Sequence, residues 1–197
     1  MRERPILFNG AMVRAILAGQ KTQTRRAVAG VRGDNCLCLK KPTKTRSGII
    51  THVLDAPGHG LCPFGQPGDR LWVRETWQFE INAIGSAREE DGPFVYAADD
   101  GYGDRRIDER WRPSIHMPRW VCRLVLEITA VRVERLQAIS TQDCLAEGIT
   151  TRFKVADAAD ELRIQFRDIW NDTGGDWESN PWVWVIEFNR INEVSNG

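Results

Sequence analysis

The stretch CRLVLEITAVRVERLQAISTQDCLAEG, residues 122–148, contains the longest strand pattern in the chain and a helix directly after it. Leu124, Leu126 and Ile128 occupy alternate positions, and the alternation resumes at Val131. Because successive side chains of a strand point to opposite faces, this spacing predicts a long strand with one apolar face.

The second half of this stretch predicts a helix. Ser140 is typical of an N-cap, Asp143 lies at the third position beyond it, and Gly148 closes the helix. The rest of the chain contains further elements of both kinds. Strands are predicted at residues 4–8, 21–28, 70–76, 94–98 and 181–191, and helices at residues 10–19 and 156–171. This mixed order indicates an α+β fold.

Length and composition indicate a single domain, residues 1–197. Hydrophobic residues make up 42% of the chain, which is enough for one core. Two stretches, at about 29–68 and 82–110, lose periodicity and are rich in turn-forming residues, so we expect loop-rich insertions there.

Charge and cysteine usage exclude several classes of protein. Lys plus Arg and Asp plus Glu number 27 each, so any binding to nucleic acid requires a local basic patch. Five cysteines, without a secretory pattern, argue against a disulfide framework. Because no run of about 18 apolar residues occurs, we expect no membrane partner. The sequence MRERPILFNG lacks the pattern of a signal peptide, so we expect a cytoplasmic location. The oligomeric state is left open, with a monomer as the default expectation.

The segment AGQKTQTRR, residues 18–26, concentrates polar chemistry. Lys21 follows a glycine that is placed to end a helix, and Thr24 lies three positions on. In a regular strand these two side chains would face opposite sides, so they converge only if Lys21 still belongs to the turn. Three interpretations stay open: a charged strand edge, a phosphate-binding patch, or a lysine base whose pKa is lowered by Arg25 and Arg26 beside a threonine nucleophile.

Other residues that could take part in catalysis or in metal binding are few. Histidines number three, and no phosphate-binding loop or zinc-protease motif occurs. Glu75, next to an arginine in VRETW, is either half of an ion pair or a catalytic carboxylate. We expect no cofactor, with zinc as the lesser alternative, because four potential ligands lie in the first insertion at intervals unlike those of a zinc finger: Cys36, Cys38, His59 and Cys62.

Three parts of the sequence together resemble the ASCH domain, a family with a PUA-like fold. They are ILAGQKTQTRR (16–26), GQPGDRLWVRETW (65–77), and VERLQAISTQDCLAEGI (133–149) followed by WVIEF (184–188). The stretch WRPSIHMPRW (111–120) is similar to the longer members found in phages and prophages. The resemblance implies a mixed β-barrel with flanking helices and loop-rich insertions.

Small bacterial members of this family are amidohydrolases that act on N4-acetylcytidine. The resemblance places their catalytic lysine, threonine and glutamate on Lys21, Thr24 and Glu147. It implies that Lys21 acts as a base toward Thr24, which attacks the amide carbonyl while Glu147 handles protons. Arg25 and Arg26 would hold an oxyanion or a phosphate.

Four further residues are candidates for substrate binding: Glu75, Trp77, His116 and Trp182. The predicted ligand is a nucleoside, an RNA or a modified base. Three functions stay open, namely an amidohydrolase for N4-acetylcytidine-like substrates, a non-catalytic binder of RNA or modified bases, and a metal-dependent ribonuclease. The ribonuclease ranks third, because no carboxylate cluster has the spacing of metal ligands.

Overall fold

The computed structural model describes residues 1–40, 44–45, 47–79, 94–99 and 111–191. Within these ranges the elements are β1 Glu3–Leu7, α1 Gly10–Leu17, β2 Gln23–Ala27, β3 Cys36–Lys40, β4 Ile49–His52, β5 Arg70–Arg74, β6 Trp77–Phe79, β7 Phe94–Tyr96, β8 Val125–Arg135, α2 Thr141–Ala146, α3 Ala159–Asp172 and β9 Trp182–Ile191. The predicted α+β class is confirmed.

A five-stranded sheet, in the order β1-β5-β8-β9-β2, organises the described residues. β1 runs parallel to β5, and the other neighbours pair antiparallel. The sheet ends at β1 and β2, so the predicted closed barrel is wrong for the part of the chain that the structure describes. Instead, Arg26 of β2 donates a hydrogen bond of 2.6 Å to the carbonyl oxygen of Leu7 in β1. A side chain, and not a backbone ladder, spans the gap between the two edge strands.

β9 is buried on both faces because a different apolar cluster packs against each. Trp184, Ile186 and Phe188 join the cluster that contains the buried side chains of α1. Val183 and Val185 join the cluster that contains the buried side chains of α2 and α3. The sheet therefore lies between α1 on one side and the α2–α3 pair on the other.

β8 is the predicted long strand, but its pairing is interrupted. Its register against β9 shifts between Ile128 and Ala130. A bulge inserts one residue and reverses the faces of the residues that follow it. This explains why the buried positions pass from even numbers, as at Ile128, to odd numbers, as at Val133.

The first predicted insertion, residues 29–68, contains more regular structure than expected. β3 and β4 form an antiparallel hairpin, and two short 3-10 helices follow, Val53–Asp55 and Pro57–His59. Val53 and Ala56 are fully buried in the apolar cluster that contains the buried side chains of α1, which is the main core. The described part of this segment is therefore packed against the core of the sheet.

Of the second predicted insertion, residues 82–110, the structure describes 94–99. The predicted strand there is confirmed as β7, which pairs with β6. The expectations for 82–93 and 100–110 lie outside the described residues. Among the helices that are described, none has the length and apolar character needed to cross a membrane.

Candidate functional site

The end of α1 places Lys21 in a turn. Gly19 has a φ of +72°, and the backbone N–H of Lys21 donates to the carbonyl oxygen of Ala15 at 3.1 Å. β2 begins two residues later, at Gln23. Because Lys21 precedes the strand, the alternation of strand faces does not separate it from Thr24, and both line one cavity.

The end of α2 brings Glu147 to the same cavity. Ser140 and Asp143 form the predicted reciprocal capping box at the start of this helix. After the helix, Gly148 has a φ of +89°, and a β-carbon there would lie 2.9 Å from the β-carbon of Ala15. The chain can approach α1 this closely because residue 148 has no side chain.

Lys21 and Glu147 form a buried pair. Lys21 Nζ donates to Glu147 Oε2 at 2.6 Å and to the Glu147 carbonyl oxygen at 2.9 Å, and the backbones of the two residues form an antiparallel bridge. Lys21 is 3% exposed. Burial lowers the pKa of Lys21, the charge of Glu147 opposes this, and Arg26 and Arg25 lower it further. Burial, and not the two arginines, is the main cause of the lowered pKa.

Arg25 is committed to protein carboxylates. It contacts Glu147 Oε1 at 3.1 Å, Glu134 Oε1 at 2.5 Å and Asp143 Oδ2 at 3.3 Å, and it is 3% exposed. The predicted role of Arg25 in holding an oxyanion or phosphate therefore does not fit this arrangement; the side chain orients Glu147. Burial raises the pKa of Asp143, but hydrogen bonds from Ser140 and the charge of Arg25 outweigh it and lower that pKa to about 2.

Arg26 has different surroundings. It is half-buried, lines the cavity, and stacks over the ring of Phe8 with Cζ 5.3 Å from the ring centroid. Its hydrogen bond goes to the carbonyl of Leu7. Burial lowers the pKa of Arg26, and the charge of Glu147 opposes that effect. Arg26 therefore remains able to contact a ligand, and its role in binding one stays a prediction.

The cavity has a volume of 360 Å³, a size that suits one small ligand. Its polar wall consists of Lys21, Thr24, Arg25, Arg26 and Glu147. A second, largely apolar wall of the cavity comes from α3 and the residues after it: Phe166, Ile169, Trp170, Thr173, Gly174 and Gly175. A flat base could lie against this wall while its substituents face the polar groups.

Glu75 lies outside this cavity. It is 1% exposed and accepts two hydrogen bonds of 2.9 Å from Arg123, which also pairs with Asp99 at 2.7 Å. Burial raises the pKa of Glu75, and the contact with Arg123 opposes that effect. The structure therefore places Glu75 in an ion pair, but the partner is the distant Arg123 and not the neighbouring arginine in VRETW, and the pair holds a fully buried carboxylate.

The other three predicted substrate-binding residues also lie outside the cavity. Trp77 is buried in a separate aromatic cluster, and His116 is exposed at the end of a short 3-10 helix. Trp182 packs under the guanidinium of Arg135, 4.2 Å from the ring centroid, and its Nε1–H donates to Asn35 Oδ1 at 2.9 Å. The two indole rings are occupied by protein contacts, and none of the three residues lines the cavity of Lys21.

The structure adds no support for zinc. Among the described residues, no three His, Cys, Asp or Glu side chains are close enough together to hold a metal ion. Cys62 is buried in the main core, whereas His59 is exposed. Cys36 and Cys38 lie on β3.

Sequence reasoning missed Glu134 and the apolar wall. Glu134 was visible as one of the charged residues that alternate with valines in β8, but nothing in the sequence pairs it with Arg25. Phe166 is buried in the core and Trp170 packs against it, and nothing in the sequence of this predicted helix shows that both residues also border the cavity.

No family model and no curated protein matches the chain. Among solved structures, the chain is similar to an ASCH domain from Lactobacillus crispatus JV V101, at a TM-score of 0.39 and 11% sequence identity. The similarity covers 96% of this chain and 79% of the other.

Proposed function

We propose that the protein is a hydrolase of N-acylated nucleosides, with N4-acetylcytidine-like substrates bound in the cavity beside Lys21. The observation that carries this proposal is that Lys21, Thr24 and Glu147 line one cavity, with Lys21 Nζ 2.6 Å from Glu147. A buried amine of lowered pKa, a hydroxyl and a carboxylate supply a base, a nucleophile and a proton carrier.

The Lys21–Glu147 contact suggests how the amine becomes a base. Lysine accepts a proton only in its neutral form, which burial favours. A proton that passes from Lys21 to the Glu147 carboxylate leaves a neutral amine. That amine then takes the hydroxyl proton of Thr24 as the oxygen attacks the acyl carbon.

The remaining steps complete an amide hydrolysis. The carbon–nitrogen bond breaks, the departing amine takes a proton from Glu147, and the acyl group stays on Thr24 as an ester. Water then attacks the ester, giving the carboxylic acid and free Thr24. Arg25 contributes by holding Glu147 toward Lys21, and the wall of Phe166 and Trp170 would hold the base.

The test measures the release of cytidine from N4-acetylcytidine, with chromatography as the method of detection. We expect turnover by the wild type and a loss of at least about hundredfold in Lys21→Ala, Thr24→Val and Glu147→Gln. Thr22→Val is the matched control, because Thr22 is exposed and lies outside the cavity. Absence of turnover in the wild type, or full activity in Lys21→Ala, would refute the catalytic proposal.

A non-catalytic base-binding module is the second candidate. It is favoured by the contacts of Lys21 and Glu147, which already satisfy each other and leave a shaped, partly apolar cavity. Binding of N4-acetylcytidine to the wild type, without release of cytidine, would select this function. A metal-dependent ribonuclease stays third; cleavage of labelled RNA that is abolished by a chelator would select it.

A further inference from the structure

The cations that line the cavity differ in their partners. Lys21 binds Glu147, and Arg25 binds Glu147, Glu134 and Asp143. Arg26 forms no salt bridge with a carboxylate in the described part of the chain; its recorded partners are the carbonyl oxygen of Leu7 and the ring of Phe8.

The geometry leaves Arg26 with donors to spare. A guanidinium carries five N–H groups, and the Leu7 carbonyl takes one from the terminal nitrogen NH2. The charge of Glu147 reaches Arg26, but that carboxylate already binds Lys21 and Arg25. A half-buried cation without its own counter-ion is unfavourable, so an anionic ligand group beside Arg26 would be stabilised.

The wall beside Arg26 adds no competing negative charge from α1. Ala11 and Met12, from the first turn of α1, line the same cavity. That turn contains no acidic residue, although acidic residues are common at helix N-termini. Nothing in α1 therefore repels an anion held by Arg26.

We propose that the preferred ligand of this cavity carries a phosphate ester and that Arg26 binds it, so that nucleotides bind more tightly than the free nucleoside. This inference rests on the proposed function, because it concerns the same cavity. The shared chemistry is a nucleotide phosphate, which a free mononucleotide or one unit of a strand could supply. Bidentate donation to phosphate oxygens is the contact for which an arginine is suited.

The experiment measures binding of N4-acetylcytidine, its 5′-monophosphate and a trinucleotide with a central N4-acetylcytidine by calorimetry. For the wild type, we expect a phosphorylated ligand to bind about tenfold to hundredfold more tightly than the nucleoside, the range of a charge-assisted contact. The monophosphate and trinucleotide arms distinguish a free nucleotide from a strand. In Arg26→Gln the ratio of the affinities should fall toward one.

Two further variants separate recognition from net charge and from folding. Arg167→Gln removes the same charge from a half-buried position of α3 that does not line the cavity, and it should keep the wild-type ratio. Arg26→Lys keeps the charge but loses the fork of donors, and its ratio should lie between those of the wild type and Arg26→Gln. This variant and the wild-type ratio test the inference even where Arg26→Gln does not fold.

The outcomes keep the two proposals apart. If nucleoside and nucleotides bind equally to the wild type and cytidine is still released, the inference is overturned and the hydrolase proposal stands. A phosphorylated ligand that binds tightly without being hydrolysed supports the Arg26 site and contradicts the hydrolase. If none of the three ligands binds, both are overturned for this substrate class.

Discussion

Replacement of Gly148 by alanine tests whether the approach of α2 to α1 builds the site. Residue 148 has a φ of +89°, which costs about 1 kcal/mol or more for an alanine. The added β-carbon would also lie 2.9 Å from the β-carbon of Ala15 and 3.0 Å from that of Lys21. Both neighbours are β-carbons fixed to the backbone, so neither can rotate away.

The two effects add to a substantial loss of stability. Overpacking of this kind costs about 1–3 kcal/mol, so Gly148→Ala should lower the free energy of unfolding by about 2–4 kcal/mol. For a chain of this length, the loss corresponds to a fall in Tm of roughly 10 °C. The displacement also separates Glu147 from Lys21, so any turnover should fall further than the loss of folded protein explains.

Urea denaturation measures the change, and Gly19→Ala is the matched control. Gly19 has a φ of +72°, but a β-carbon there would meet nothing within 4 Å. The control therefore has the backbone penalty without the clash and should lose about 1 kcal/mol. Equal losses in the two variants would refute the claim that close packing at residue 148 sets the geometry of the site.

Three further predictions follow from the ion pairs and the cavity wall. Arg25→Met leaves three carboxylates without their shared cation and should destabilise the fold by about 3 kcal/mol in urea denaturation, and a loss below 1 kcal/mol would contradict the role given to Arg25. The pKa of Asp143, lowered in the folded state to about 2, means that its contribution is complete above pH 4 and is lost as the pH falls toward 2. Between pH 4 and pH 2 the free energy of unfolding of Asp143→Asn should therefore fall by about 1 kcal/mol less than that of the wild type, after allowance for solvent screening. Parallel profiles of unfolding free energy against pH in the two proteins would exclude this. Gly175→Ala would put a β-carbon 2.2 Å from Trp170 Nε1, so the indole must move, with a change in tryptophan fluorescence and weaker nucleoside binding; Gly58→Ala, in open space, should change neither.

Local features of the fold could be predicted from the sequence because they depend on neighbours along the chain. The capping box of Ser140 and Asp143 needs residues three positions apart, and Gly19 ends a helix by its own backbone freedom. The strand predicted from residue 21 begins instead at Gln23, so Lys21 stays in the turn that follows this glycine. Such signals involve only residues that lie within a few positions of each other in the sequence.

Contacts between distant segments could not be predicted in the same way. Arg25 and Glu134 are 109 positions apart, and the sequence shows no pattern that pairs them. The prediction of a closed barrel was wrong for a similar reason, because closure depends on whether the distant strands β1 and β2 form a backbone ladder. The Arg26 side chain, which contacts Leu7 across the gap, was predicted to contact a substrate, and its second role in the fold was not visible.

The bridge between Lys21 and Glu147 has a consequence for protein synthesis. The two residues are 126 positions apart, and β2 depends on β9, the last strand described, for its ladder. At a translation rate of 5–20 residues per second, Lys21 is made roughly 6–25 s before its partner. During that interval the nascent chain carries a lysine whose ammonium is solvated and charged, because neither its burial nor its carboxylate exists yet. A ribosome-bound fragment that stops before residue 147 should therefore lack the amidohydrolase activity that we propose for the folded protein.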